Sequence, residues 1–286
     1  MKYLLFLIAI AITITSCNNS NANEISTIPP NNNYVVVLDL SDRIIQRLDQ
    51  TEIDTTAIRA VFEKFVFSVQ SKLTVKSYDK FSVRIIPQNT SSLPVSAFEN
   101  SLSIDMGKFS VADKVKKLDE FKANFPNQLK SLYQQAFLGN KNSDFAGVDI
   151  WQYFNEQINS DLDAGFKNQV VILTDGYFDF EDKRHGFKDK QHSTTTSPLL
   201  SKMTGNRWKR NADSLDLGFV PVQLKVPATW LVCGIQQKAG SQDLLECEKL
   251  SYLWKKWLNA SGATNVKEPI MNSSSKKVQG LIAKSI

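Results

Sequence analysis

Residue types that usually bind zinc are scarce here. The chain has two histidines and three cysteines in 286 residues. His185 and His192 stand seven apart with no cysteine nearby, a spacing that does not close on zinc. There is no Gly-x-Ser-x-Gly nucleophile elbow, no Walker loop and no Gly-x-Gly-x-x-Gly, which removes the common hydrolase, nucleotide and dinucleotide signatures. Beyond the N-terminus no apolar run is long enough to cross a bilayer as a helix. Charge of one sign is also lacking: 34 Lys and Arg stand against 29 Asp and Glu, a net +5. That excess describes a mildly basic solvated surface. With no recognised nucleic-acid motif beside it, nucleic acid is not an expected partner. No internal repeat is evident.

What is present is globular. Hydrophobic residues make up 42% and charged residues 22%, enough apolar material for one domain of about 250 residues with a substantial core. The N-terminus differs from the rest. Lys2 precedes the apolar stretch Tyr3–Ile12, and Ile14-Thr15-Ser16-Cys17 follows. A short charged region and a short apolar core read as a secretory signal. A small residue directly before a cysteine resembles the lipobox of bacterial lipoproteins. The resemblance implies a signal peptide over 1–16 and a lipidated Cys17, whose acyl chains anchor the protein at a membrane. Residues 17–33, rich in Asn, Ser and Pro, read as a flexible tether. No acidic run follows Cys17, which favours the periplasmic side of the envelope over the cell surface. Cys233 and Cys247 remain after processing. Each falls in an apolar pattern, so buried free thiols are favoured over a disulfide.

The body, 34–286, alternates strand and helix patterns. Tyr34-Val35-Val36-Val37-Leu38 and Val170-Val171-Ile172-Leu173 are unbroken apolar runs, the mark of strands buried on both faces of a parallel sheet. Apolar residues from Ile58 to Val69 share one helical face, with Asp54 or Thr55 as a candidate cap. Phe81–Ile86 alternates like a strand, and a short strand near 102–104 would pair with it antiparallel at an edge. From 112 to 138 the pattern is amphipathic, and Pro126 within it predicts a kink or two helices. Thr229–Ile235 reads as another buried strand, followed by helical faces around Leu250–Leu258 and Val278–Ile282. Residues 175–218 form a long insertion with turn and charge clusters, a length uncommon unless functional. The fold class expected is α/β: an open, mostly parallel central sheet, helices on both faces and one antiparallel edge strand.

Ligands of such sheets bind at the carboxyl ends of the strands. Both central strands end there in acid: Asp39-Leu40-Ser41-Asp42-Arg43 and Thr174-Asp175-Gly176. These two stretches, with the element order, resemble the von Willebrand factor A domain, and the likeness covers 34–286. In that family an Asp-x-Ser-x-Ser motif and two further loops hold a divalent cation, usually magnesium. The resemblance therefore implies that Asp39, Ser41 and Asp175 are metal ligands. It departs at Arg43, where the family has serine, and at Val148, where it has threonine. Arginine cannot ligate a cation and valine offers no oxygen. Asp42, Ser143, Asp144 or Asp149 could substitute, and Asp149, beside Val148, is the best placed. Two readings stay open at this point: a retained but degenerate cation site for Mg2+ or a similar ion, and a metal-free rim in which Asp39 and Asp175 pair with Arg43 and cap backbone amides.

The function expected is binding of a protein or an envelope component through this rim, to which Asp42, Arg43, Asp144, Asp179 and Asp182 also belong. The alternative is a metal-independent structural or assembly lipoprotein. A phosphohydrolase of the haloacid-dehalogenase kind needs a second aspartate where this chain has Ser41, which cannot act as an acid near neutral pH.

Overall fold

The computed structural model describes residues 29–88, 92–137, 147–179, 189 and 191–286. The expected signal peptide, Cys17 and most of the expected tether lie outside them. Among the described residues no helix is long and apolar enough to cross a membrane.

The centre of the molecule is a sheet of seven strands. β1 (Asn32–Asp39) lies between β2 (Lys80–Ile86) and β4 (Lys167–Leu173), parallel to both. β7 (Ala228–Ile235) continues the parallel set on the far side of β4. The two-residue β3 (Ile104–Asp105) closes one edge antiparallel to β2, and β8 (Asn265–Val266) and β9 (Ile270–Met271) both pair with β7. The order is β3-β2-β1-β4-β7-β8. This is an open α/β fold with a mostly parallel sheet and one antiparallel strand. The remaining pair, β5 (His192–Ser193) and β6 (Gly218–Phe219), forms a separate small sheet.

The unbroken apolar runs are explained by what covers each face. Side chains alternate across a strand. Val36, Leu38, Val171, Leu173 and Leu231 join one core with α2 (Gln50–Ser71), α4 (Lys114–Phe137) and α10 (Ser275–Ser285). Val35, Val37, Val170, Ile172, Trp230 and Val232 join the other with α5 (Ile150–Glu156) and α9 (Glu246–Ala260). Each fully buried Val or Leu contributes about 1.5–3 kcal/mol, so the central strands are stabilised from both sides.

α4 is one continuous helix through Pro126 and not two. Pro126 removes one hydrogen bond, but Phe125, Leu129 and Leu132 on either side are buried to 1% exposure or less, and Phe125 stacks on Phe62 at 4.3 Å. That anchoring offsets the lost bond. The segment 175–218 is also less open than its composition implies. Its described part carries β5, α7 (Ser197–Leu200), α8 (Trp208–Ser214) and β6. Phe178 stacks on Phe219 with ring centroids 4.0 Å apart, and both pack edge-on against Trp257. Cys233 is buried, Cys247 is half-buried, and both are free thiols. Burial raises the Cys233 thiol to about 12, which keeps it a neutral packing group.

Glycine is required where the strands end. Gly234 has φ +106°, and a Cβ there would lie 2.8 Å from the Thr174 carbonyl oxygen. The main chains of β4 and β7 therefore approach closely at the carboxyl end of the sheet, which fixes the height of Thr174 and Asp175.

Candidate functional site

The register carries both acidic strand ends to one rim. Leu38 pairs with Leu173, so Asp39 and Thr174 are the next residues on adjacent parallel strands. The Thr174 hydroxyl donates to Asp39 Oδ2 at 2.8 Å, and the Ser41 amide donates to Asp39 Oδ1 at 2.8 Å. Asp175 follows directly; its Oδ1 accepts from the Tyr177 amide at 3.2 Å. Trp254 Nε1 donates to the Gly176 carbonyl at 2.9 Å and holds the turn after Asp175 down on α9.

A small cavity of about 70 Å³ opens at this point. Asp39, Ser41, Asp42, Asp175 and Asp179 line it together with Gln46, Gly147, Val148, Tyr177 and Lys238. Asp39 and Asp175 are almost fully buried, at 1% and 5% exposure. Burial, and then the neighbouring Asp39, push Asp175 well above the ordinary carboxylate range, against a downward pull from Arg43. Burial also raises Asp42, with Gln46 and Lys238 pulling the other way.

Arg43 does not enter this cavity. Its side chain runs beneath the rim, fully buried at 1% exposure. Nε donates to the Asp39 carbonyl oxygen at 2.8 Å and lies 3.9 Å from the Asp39 carboxylate. The terminal nitrogen reaches Asp54 Oδ2 at 2.8 Å. Asp54 in turn accepts from Gln50 Nε2 and from the Tyr133 hydroxyl, each at 2.9 Å. Burial pulls the Arg43 guanidinium down, but Asp54 and Asp39 together more than reverse this and keep it charged. Asp54 is therefore a buried counter-ion and not a helix cap. α2 begins four residues earlier, at Gln50.

The same network extends through amides to the start of α1. The Asn272 side chain donates to Gln50 at 2.9 Å and to Gln236 at 2.6 Å. Gln236 donates to Gln46 at 3.1 Å, and Gln46 to Asp42 at 3.4 Å. A chain of hydrogen bonds thus runs from Asp39 through Arg43, Asp54, Gln50, Asn272, Gln236 and Gln46 to Asp42. It ties the ends of β1, β7 and β9 to α1 (Arg43–Gln46) and α2.

The remaining sequence candidates fall in three places. Asp149 caps α5, its Oδ1 accepting from the Gln152 amide at 2.8 Å, and it is not among the cavity-lining residues. Asp179 is on the cavity wall. Asp144 and Asp182, with Ser143, Glu181 and His185, lie outside the described residues. His192 is half-buried on β5 between Asp189 and Asp216, away from the rim. Sequence reasoning did not find Asp54 as the Arg43 partner, nor Tyr133 or Lys238. The one signal available was that a charged residue between apolar strand and apolar helix must find a partner when buried.

Asp39, Ser41 and Asp175 offer hard oxygen donors to one space, the donor chemistry that magnesium and calcium take. Arg43 is turned away toward Asp54. The residues present fit a divalent cation of that class, with water completing the shell.

No protein-family model matches the chain, and no curated protein does. Among solved structures it is similar to the pilus adhesin SpaC from Lactobacillus rhamnosus GG, at 12% identity over 90% of this chain and 30% of that one, with a TM-score of 0.41. It is similar as well to proximal thread matrix protein 1 from the mussel byssus, at 12% identity over 90% of this chain and 47% of that one, with a TM-score of 0.36. The chain spans less than half the length of these structures.

Two outcomes follow from the charges. Removing Asp54 strips the buried guanidinium of its closest counter-ion, so Asp54→Ala is expected to cost about 3–5 kcal/mol in urea unfolding, while the double change Arg43→Met with Asp54→Leu costs far less. A single-mutant loss below about 1 kcal/mol would show that solvent reaches the pair. Asp175 holds its proton more firmly folded than unfolded. Its contribution is therefore fully present at acid pH and is lost as pH rises from the ordinary carboxylate value through the raised folded one. In chelator-treated buffer Asp175→Asn should raise the melting temperature at pH 7 and leave it nearly unchanged at pH 3.5. An equal shift at both would contradict the crowding described here.

Proposed function

We propose that this chain is a von Willebrand A-type module of a bacterial envelope lipoprotein, and that it binds a protein or envelope component through the rim at the carboxyl ends of β1 and β4. The observation that carries this reading is the convergence of Asp39, Ser41 and Asp175 on one cavity at the ends of adjacent parallel strands. Open α/β sheets bind ligands at that edge. Asp39, Ser41 and Asp175 would hold a divalent cation such as Mg2+, and Asp42 and Asp179 lie close enough to contribute charge. A cation bound there supplies a fixed positive centre for an anionic group of the partner, a carboxylate being the simplest. The chain's own part is to position the donors. Thr174 and the Ser41 amide orient the Asp39 carboxylate, and the Tyr177 amide orients Asp175. The activity is binding and not catalysis: the position an acid would need beside Asp39 is Ser41. The lipid on Cys17 and the tether would hold the module at a membrane, on the periplasmic side.

One observation favours a second reading, a metal-independent assembly module. Both Asp39 oxygens already accept hydrogen bonds within the chain, and Arg43 lies 3.9 Å away. In that case the rim is a structural cap, and the partner docks on the segment after Asp175.

Melting curves and partner capture separate the two. With magnesium or manganese at about ten times its dissociation constant, the wild type should melt a few degrees higher, and Asp175→Ala should not respond. Capture of the partner from an envelope extract should be lost in chelator and in Asp175→Ala. Capture that survives both would rule out the cation-bridged reading and leave the assembly module.

A further inference from the structure

The rim already has a positive charge of its own. Lys238 is the one cationic side chain among the described residues that line the acidic cavity. Its Nζ lies 3.2 Å from Asp179 Oδ2 and 5.4 Å from the centre of the Tyr177 ring. The side chain is half-exposed, at 54%, so the ammonium is seated but not locked.

The backbone beneath it is held differently. The Lys238 amide donates to the Tyr177 hydroxyl at 3.0 Å and to Glu246 Oε1 at 3.2 Å. Tyr177 and Ser241 both donate to Glu246, which is 6% exposed. The loop after β7 is thereby pinned to the first residues after Asp175 and to the start of α9. The main chain is thus fixed, while the half-exposed ammonium is held by a single carboxylate contact to Asp179.

From these contacts we infer that Lys238 is an intramolecular competitor for the rim: an ammonium seated on Asp179 at the cavity wall, whose charge opposes a divalent ion among Asp39, Ser41 and Asp175. This rests on the cation-binding reading and states its regulation. An ammonium cannot bring the charge or the multiple oxygen ligation of a divalent ion, so it yields to one. While seated it offsets the acidic rim and lowers the affinity for any other cation. The rim would therefore fill only where the ion is plentiful, or where a partner draws Lys238 away by offering it a carboxylate.

The test is manganese binding to the full chain, followed by electron paramagnetic resonance of the free ion, for the wild type, Lys238→Gln and Lys238→Arg. Both variants keep the main-chain amide that pins the loop. Lys238→Gln should bind Mn2+ about tenfold more tightly than wild type at low salt, the size set by one unit charge acting on a divalent ion across several ångströms of partly wet protein. Lys238→Arg should match the wild type. The advantage of Lys238→Gln should shrink toward nothing at about 0.5 M salt, since the ammonium is half-exposed. Equal affinity of Lys238→Gln and wild type at low salt would overturn the inference and leave the rim reading standing. Tighter binding by both variants would overturn it as well, because the gain would then not be a loss of charge. No bound Mn2+ in any of the three proteins would overturn the inference together with the cation-binding reading.

Discussion

A guanidinium without access to water must have its charge answered inside the protein, and that constraint organises the rim. Arg43 follows the strand that carries Asp39, and its side chain points down into the space between α2 and α4. Asp54, Gln50 and Tyr133 meet it there. An isolated buried charge would cost several kcal/mol, so α2 must bring Asp54 to Arg43 as well as pack its apolar face against β1. The pairing also settles the electrostatics above it. With its charge engaged by Asp54 and the Asp39 carbonyl, Arg43 offsets only part of the repulsion between Asp39 and Asp175. The cavity keeps a surplus of carboxylate, softened at its outer edge by Lys238.

The chain of amides gives this arrangement rigidity. Gln46 and Gln50, Gln236, and Asn272 come from three separate stretches of sequence, yet they are hydrogen-bonded in series. A network of this kind is costly to leave half-made, so its members tend to be ordered together. The loops that bear Asp42 and Lys238 are consequently fastened to the frame near their bases, and motion at the rim is left to side chains.

Much of the frame was legible in the sequence, because it depends on local pattern. Val35–Leu38 and Val170–Leu173 announce strands covered on both faces, and the acidic residues that end them announce a rim. What was not legible depends on distant partners. Asp54 reads as a helix cap from its neighbours alone. Its true role needs Tyr133, 79 residues away, and an arginine whose direction no periodicity reveals. Pro126 reads as a kink or a second helix because propensity is local, whereas Phe62 of α2, stacked on Phe125, supports the continuous helix from outside it. The segment after Asp175 reads as loose because its clusters are polar. Its scattered aromatics, Phe178, Trp208 and Phe219, find the tryptophans and tyrosine of α9 only in three dimensions. Adjacency to Val148 suggests Asp149 as a ligand, and its role as the cap of α5 shows only in the fold.

The proposal that Asp39, Ser41 and Asp175 share one divalent ion is tested most directly by anomalous scattering from crystals grown in manganese. A single strong peak is expected in the cavity between β1 and β4, about 2.0–2.3 Å from an oxygen of each of the three residues, the range of hard-ion ligation. Well-ordered Asp39 and Asp175 side chains with no anomalous peak between them, at manganese concentrations in the tens of millimolar, would contradict it.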